Sequence, residues 1–264
     1  MTRIKNAFTA ADGSRKKAFI PFITCGDPTV GTTEKAILAM VAAGADLVEI
    51  GIPFSDPTAE GPVIQEANIR ALAGGVTTDD AFDLVARLRE DGVEIPLVFM
   101  TYANVVYSYG VGRFAARGAQ VGLDGVILPD VPFEEKAEFD EPLAAAGLEL
   151  VSLIAPTSHD RVRQIAAASK GFVYCVSSLG VTGVRTNITT DIGAMVELVR
   201  EATDVPCAVG FGISTPEQAA AMAAKSDGAI VGSAIVRILA EHGEDAMPYV
   251  EEYVRAMAQA THAA

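Results

Sequence analysis

The chain has 264 residues, half of them hydrophobic, and its 34 Asp and Glu outnumber 20 Lys and Arg to give a net charge of −14. That length suits one α/β barrel or at most two small domains, and the apolar content is too high for a disordered chain. The acidic balance argues against nucleic acid or an anionic membrane as partner, since both need a basic footprint.

No apolar stretch is long enough to span a bilayer, and the N-terminal MTRIKNAFTAADGSRKK lacks the apolar core of a secretory signal. A cytoplasmic location is expected. Cys25, Cys175 and Cys207 lie in or beside apolar runs without CxxC spacing, which predicts buried free thiols. His159, His242 and His262 lie in polar or terminal segments without ligand spacing, so no metal site is expected.

In chain order, short apolar runs recur at 18–24, 46–50, 97–102, 124–128, 148–154, 171–176, 205–209 and 227–231. Their hydrophobicity is continuous rather than alternating, as for strands covered on both faces of a parallel sheet. Helix-compatible sequence follows each run. Thr77 with Asp80, and Ser214 with Glu217, have the spacing of capping boxes, and Pro216 falls in a first turn. Ala81, Leu84, Val85 and Leu88 make one apolar face across 78–90. A further helix starts near Pro62. No linker or composition shift divides the chain, so residues 1–264 are expected to form a single domain. Eight strand–helix units predict a closed (βα)8 (TIM) barrel. An open doubly wound sheet is the competitor, but the first run leads into TCGDP, not a GxGxxG turn.

A barrel of this kind places chemistry at the C-terminal ends of its strands. Glu49 ends the second run inside VEIGIP, where an ionisable group needs a partner or a task. Burial there raises its pKa toward neutrality, which suits general acid–base work. The following loop, PFSDPTAEGP (53–62), carries Asp56 and Glu60, either of which could serve the site or be a solvated charge. Tyr102 and Asp130 end or follow the third and fourth runs. Phe22, Tyr174 and Phe211 could wall a flat aromatic ligand or be ordinary packing.

Three glycine-bearing segments follow the last three runs: GVTG (180–183), GFGIS (210–214) and GSA (232–234). Glycines let backbone N–H groups converge on a phosphate, and Gly232-Ser233 opens a helix whose N-terminus favours an anion. Together they predict a phosphate grip, with a short phosphate-binding helix after the eighth strand.

IPFITCGDPT, VEIGIPFSDPTAEGPVIQ, MTYANVV, ILPDVPFEE, FVYCVSSLGVTG, GFGIS and VGSAIV, in this order over nearly the whole chain, closely resemble the tryptophan synthase alpha-subunit family. The resemblance implies a barrel with an extra N-terminal helix that cleaves indole-3-glycerol phosphate by a retro-aldol reaction. It implies no metal or organic cofactor in this subunit. Glu49 would carry protons to indole C3 and from the glycerol hydroxyl, and Glu60 would polarise the indole N–H. Phosphate contacts would fall on Gly183, Phe211, Gly212, Gly232 and Ser233. Phe22, Met100, Tyr102, Ile127 and Tyr174 would meet the substrate, with Thr182 ordering the GVTG loop. A partner β subunit holding pyridoxal phosphate would complete an α2β2 assembly, with Asp56, Asn104, Asp130 and Pro132 on the interface. The family pattern PLADGP reads PTAEGP here, so Glu60 keeps the charge with one more methylene. Two outcomes stay open: an active lyase, or a barrel that binds ligand and mainly activates its partner.

Overall fold

The computed structural model describes residues 2–176, 191–210 and 212–264. The first half runs α1 (Arg3–Ala7), β1 (Ala18–Thr24), α2 (Val30–Ala42), β2 (Val48–Gly51), α3 (Pro62–Ala73) and α4 (Thr78–Glu90). It continues through β3 (Leu97–Met100), α5 (Ala103–Tyr109), α6 (Val111–Val121) and β4 (Gly125–Ile127). The second half holds α7 (Ala137–Ala145), β5 (Glu149–Ile154), α8 (His159–Ala167), β6 (Val173–Val176) and α9 (Ile192–Ala202). It ends with β7 (Cys207–Gly210), α10 (Pro216–Lys225), β8 (Gly228–Val231), α11 (Ser233–His242) and α12 (Met247–His262).

The strands close in sequence order into one parallel barrel, β8 pairing back onto β1. Each strand sorts its side chains by alternation. Phe19 and Ile23 of β1, with Val48 and Ile50 of β2, pack outward against the helices. Ala18, Ile20 and Phe22 turn into the barrel, where they meet Val98, Met100, Ile127, Val151 and Tyr174. Apolar side chains therefore lie on both faces of the barrel sheet, which is why the runs read as continuous.

The N-terminal mouth is plugged by α1, whose Ile4 and Ala7 are buried beside Phe8, and the Phe8 ring lies 5.8 Å from that of Phe172. Thr77 and Asp80 form the expected capping box at the start of α4, whose buried face includes the four anticipated residues and Phe82. The second box is displaced by one residue from the expected Ser214–Glu217 pair. Thr215 caps α10 and Gln218 returns the bond, with Pro216 at the first helical position. Ser214 instead gives its backbone N–H to the Gln218 amide oxygen at 2.8 Å. The three cysteines are buried and free. Among the described residues no helix is long and apolar enough to cross a membrane.

Candidate active site

At the C-terminal end of β2 the alternation sets Glu49 pointing inward, in register with Phe22 on β1 and Val98 on β3. The residue is 0% exposed. Among the described residues neither carboxyl oxygen has a hydrogen-bond partner. The alternative of a salt bridge to a barrel neighbour is thereby ruled out among the described residues. Burial alone pushes its pKa up to about 8, because no donor or cation offsets the loss of water. Such a group is protonated near neutrality yet able to give its proton away.

Phe22, Met100, Ile127 and Tyr174 line one buried apolar cluster inside the same mouth. The Phe22 ring lies over the ends of two neighbouring strands. A Cβ on Gly51 would come within 2.7 Å of it, and one on Gly232 within 3.1 Å. Glycine at 232 thus makes room for an aromatic wall as well as opening α11, a role its place in a phosphate motif did not suggest.

The second carboxylate is also brought in. Glu60 closes the loop after β2, is 5% exposed, and accepts a 2.5 Å bond at Oε2 from the Asn68 amide on α3. Tyr102, at the end of β3, accepts the Ala59 N–H at 3.2 Å and turns its own proton to Glu60. Burial raises the Glu60 pKa, and the bonds from Asn68 and Tyr102 draw it back down. The loop is tied once more by Gln65 Nε2, which donates to the Glu60 carbonyl at 2.7 Å. Sequence reasoning missed Asn68 and Gln65, whose only signal is a polar residue on an otherwise ordinary helix.

Of the phosphate candidates, Gly232 is the N-cap of α11 and Ser233 its first residue, with no acidic side chain in the first turn to oppose an anion. Gly212 has φ +80°, the left-handed region that favours glycine. Thr182, Gly183 and Phe211 lie outside the described residues.

The four interface candidates, Asp56, Asn104, Asp130 and Pro132, are all exposed, on the loops or helix starts that follow the adjacent strands β2, β3 and β4. Asp130 also accepts the Ala103 N–H at 3.0 Å, joining two of these segments. On α5, beside Asn104, Tyr107 is 65% exposed. Among the described residues no cluster of His, Cys, Asp and Glu could hold a metal ion.

A closed (βα)8 barrel with an inward, unpartnered carboxyl at its C-terminal mouth has the architecture of an acid–base barrel enzyme. The family model described as tryptophan synthase alpha chain matches residues 8–263. The tryptophan synthase alpha chain of Lactiplantibacillus plantarum is 49% identical over 245 residues, 92% of either chain. That of Geobacter sp. is 44% identical over 261 residues, covering 98% of this chain and 97% of the relative. The crystal structure of tryptophan synthase subunit alpha from Legionella pneumophila aligns with a TM-score of 0.89 at 35% identity, covering 100% of both chains. The chain belongs to the tryptophan synthase alpha chain family. It is a carbon–carbon lyase of tryptophan biosynthesis that cleaves indole-3-glycerol phosphate to indole and glyceraldehyde 3-phosphate.

Proposed function

We propose that this lyase works by proton transfer between its two buried carboxyls and the substrate, with residues 1–264 acting as one domain. The observation that carries the reading is Glu49, wholly buried at the catalytic mouth with both oxygens unpartnered among the described residues, where burial pushes its pKa up to about 8. Protonated Glu49 gives its proton to indole C3, while Glu60 accepts from the ring N–H and steadies the positive charge that develops there. The Glu49 carboxylate then takes the proton of the glycerol hydroxyl. The C–C bond breaks as that oxygen becomes the aldehyde, and its electron pair restores the aromatic indole. Protons balance, and Glu49 ends as it began.

The ring is held by Phe22, Met100, Tyr102, Ile127 and Tyr174, supported by their gathering at the mouth. Gly212, Gly232 and Ser233 receive the phosphate at the N-terminus of α11, with Gly183 and Phe211 completing the grip and Thr182 ordering its loop. The reaction needs no metal or organic cofactor in this chain, since both proton transfers fall to side chains already in place. A β subunit carrying pyridoxal phosphate docks on the rim of Asp56, Asn104, Asp130 and Pro132 to make an α2β2 assembly; their shared exposure on neighbouring segments supports this. Three buried free thiols agree with a cytoplasmic location.

Cleavage of indole-3-glycerol phosphate by wild type and Glu60→Asp, each alone and with β subunit, tests the reading. Wild type should turn over. An inert wild type beside an active Glu60→Asp would leave a barrel that binds ligand and mainly activates its partner.

A further inference from the structure

The longer acid at position 60 is held from one side by a residue that has no part in the chemistry above. Asn68 is 3% exposed on the inner side of α3, and its Nδ2 lies 2.5 Å from Glu60 Oε2. The helix under it is itself clamped, because Arg70 gives Nε and Nη2 to the two oxygens of Asp27 at 2.7 and 2.8 Å. Ile64 and Ala67 of α3 are buried against the inner cluster. Asn68 therefore has a fixed place from which to aim a flexible side chain.

We propose that Asn68 is a positioning residue for Glu60, holding its carboxylate ionised and turned for the indole N–H so that the extra methylene does not let it wander. The inference rests on the reading of Glu60 as second acid. The groups around Glu60 make the amide decisive. Among the described residues it has no cationic partner, since Arg70 is taken up by Asp27. Tyr102 is its other side-chain donor. Acids also stand at this mouth, Asp56 on the same loop, Glu49 inside the barrel and Asp130, whose charge reaches Tyr102, while the cations Lys136 and Arg161 line the cavity beside Ala59, Arg161 being held by Glu134. Two neutral donors thus oppose the burial that raises the Glu60 pKa, and loss of one leaves that oxygen without compensation.

The test removes the donor and keeps the bulk, with Asn68→Leu, and compares Glu60→Gln. Steady-state cleavage of indole-3-glycerol phosphate by the assembly with β subunit is followed against pH. Asn68→Leu should lower kcat roughly 10- to 100-fold near neutrality with KM within about 3-fold. Its acidic limb should move to higher pH, so that the rate recovers as pH rises, which loss of fold would not produce. The carboxyl 13C signal assigned to Glu60 by its absence in Glu60→Gln should titrate at higher pH in Asn68→Leu, with or without substrate. If Asn68→Leu does not fold, Asn68→Ser removes the same bond and carries the same expectations. An unmoved limb and an unmoved 13C titration overturn the proposal while the second-acid reading stands. Cleavage by Glu60→Gln at the wild-type rate overturns that reading instead, leaving the 13C titration to judge the bond.

Discussion

Three aspartates at strand starts and the two glutamates of the site, all buried or half-buried, are partnered in opposite ways. At the N-terminal mouth, Asp46, Asp124 and Asp227 each precede a strand and accept the backbone N–H that opens another, from Phe19, Leu97 and Cys207, all at 2.9 Å. Each also has two cationic or imidazole partners. Asp46 is met by Lys16 at 2.7 Å and His262 at 2.6 Å, and Asp124 by Arg89 at 2.6 Å and Arg3 at 3.2 Å. Asp227 is met by Arg15 at 3.2 Å and Arg200 at 3.5 Å. At the C-terminal mouth, among the described residues, Glu49 has no partner and Glu60 has only neutral ones. Saturated acids tie strand starts to one another and to α1 and α12. Unsaturated ones keep their lone pairs for a substrate, at a cost in stability. One fold thus separates cohesion from chemistry by the number of donors it gives each carboxylate.

The largest break in that contrast comes from Glu49→Gln, which should slow cleavage by at least ~1000-fold. The same change should stabilise the protein. Burial lifts the Glu49 pKa from 4.5 to about 8, so between those values the folded chain holds a proton that the unfolded chain has lost. Stability contributed by the neutral carboxyl is therefore full below about 4.5 and lost as pH rises through about 8. Glu49→Gln should match wild type in acid and exceed it in alkali, by up to ~5 kcal/mol for a shift of this size. Urea unfolding across pH checks this, and a pH-independent difference would contradict the unpaired state of Glu49.

Next comes the opposite mouth. Asp227→Ala removes the acceptor for the Cys207 N–H and the partner of Arg15 and Arg200. It should cost ~3 kcal/mol in urea unfolding while kcat of the folded fraction stays within about 2-fold. A comparable loss of kcat would show that the two mouths are not separable.

Ser233→Asp then probes the anion site by setting a negative charge at the start of α11. KM for indole-3-glycerol phosphate should rise roughly 10- to 100-fold, with little change in fold stability. An unchanged KM would remove the phosphate from this helix end. The smallest effect is expected for Lys16→Ala, since Asp46 keeps His262 and the Phe19 N–H. Thermal unfolding should register a loss of only ~0.5 kcal/mol.

Legibility differed from residue to residue for physical reasons. The strands could be read because burial on both faces leaves an unbroken apolar run, and Glu49 stood out because it interrupts one. The cap of α10 was displaced by one residue because Ser214 and Thr215 both satisfy the local rule, and only the backbone path chooses between them. Asn68 left no mark, since a polar residue on a helix is ordinary until its neighbour across the loop is known. The aspartates at the N-terminal mouth lay in plain view within or beside the apolar runs, but their partners are distant in sequence. Asp227 answers Arg15 across 212 residues and Asp46 answers His262 across 216.

By itself, then, the sequence determined the eight strand–helix units, the acid set among apolar neighbours and the glycines at the last strand ends. These follow from local rules of periodicity, burial cost and backbone freedom. Only the tertiary structure decided which acids are satisfied. Closing the barrel brings cations and N–H groups to Asp46, Asp124 and Asp227 but, among the described residues, no cation to Glu49 or Glu60, and that arrangement governs whether a carboxylate braces the fold or holds a proton ready.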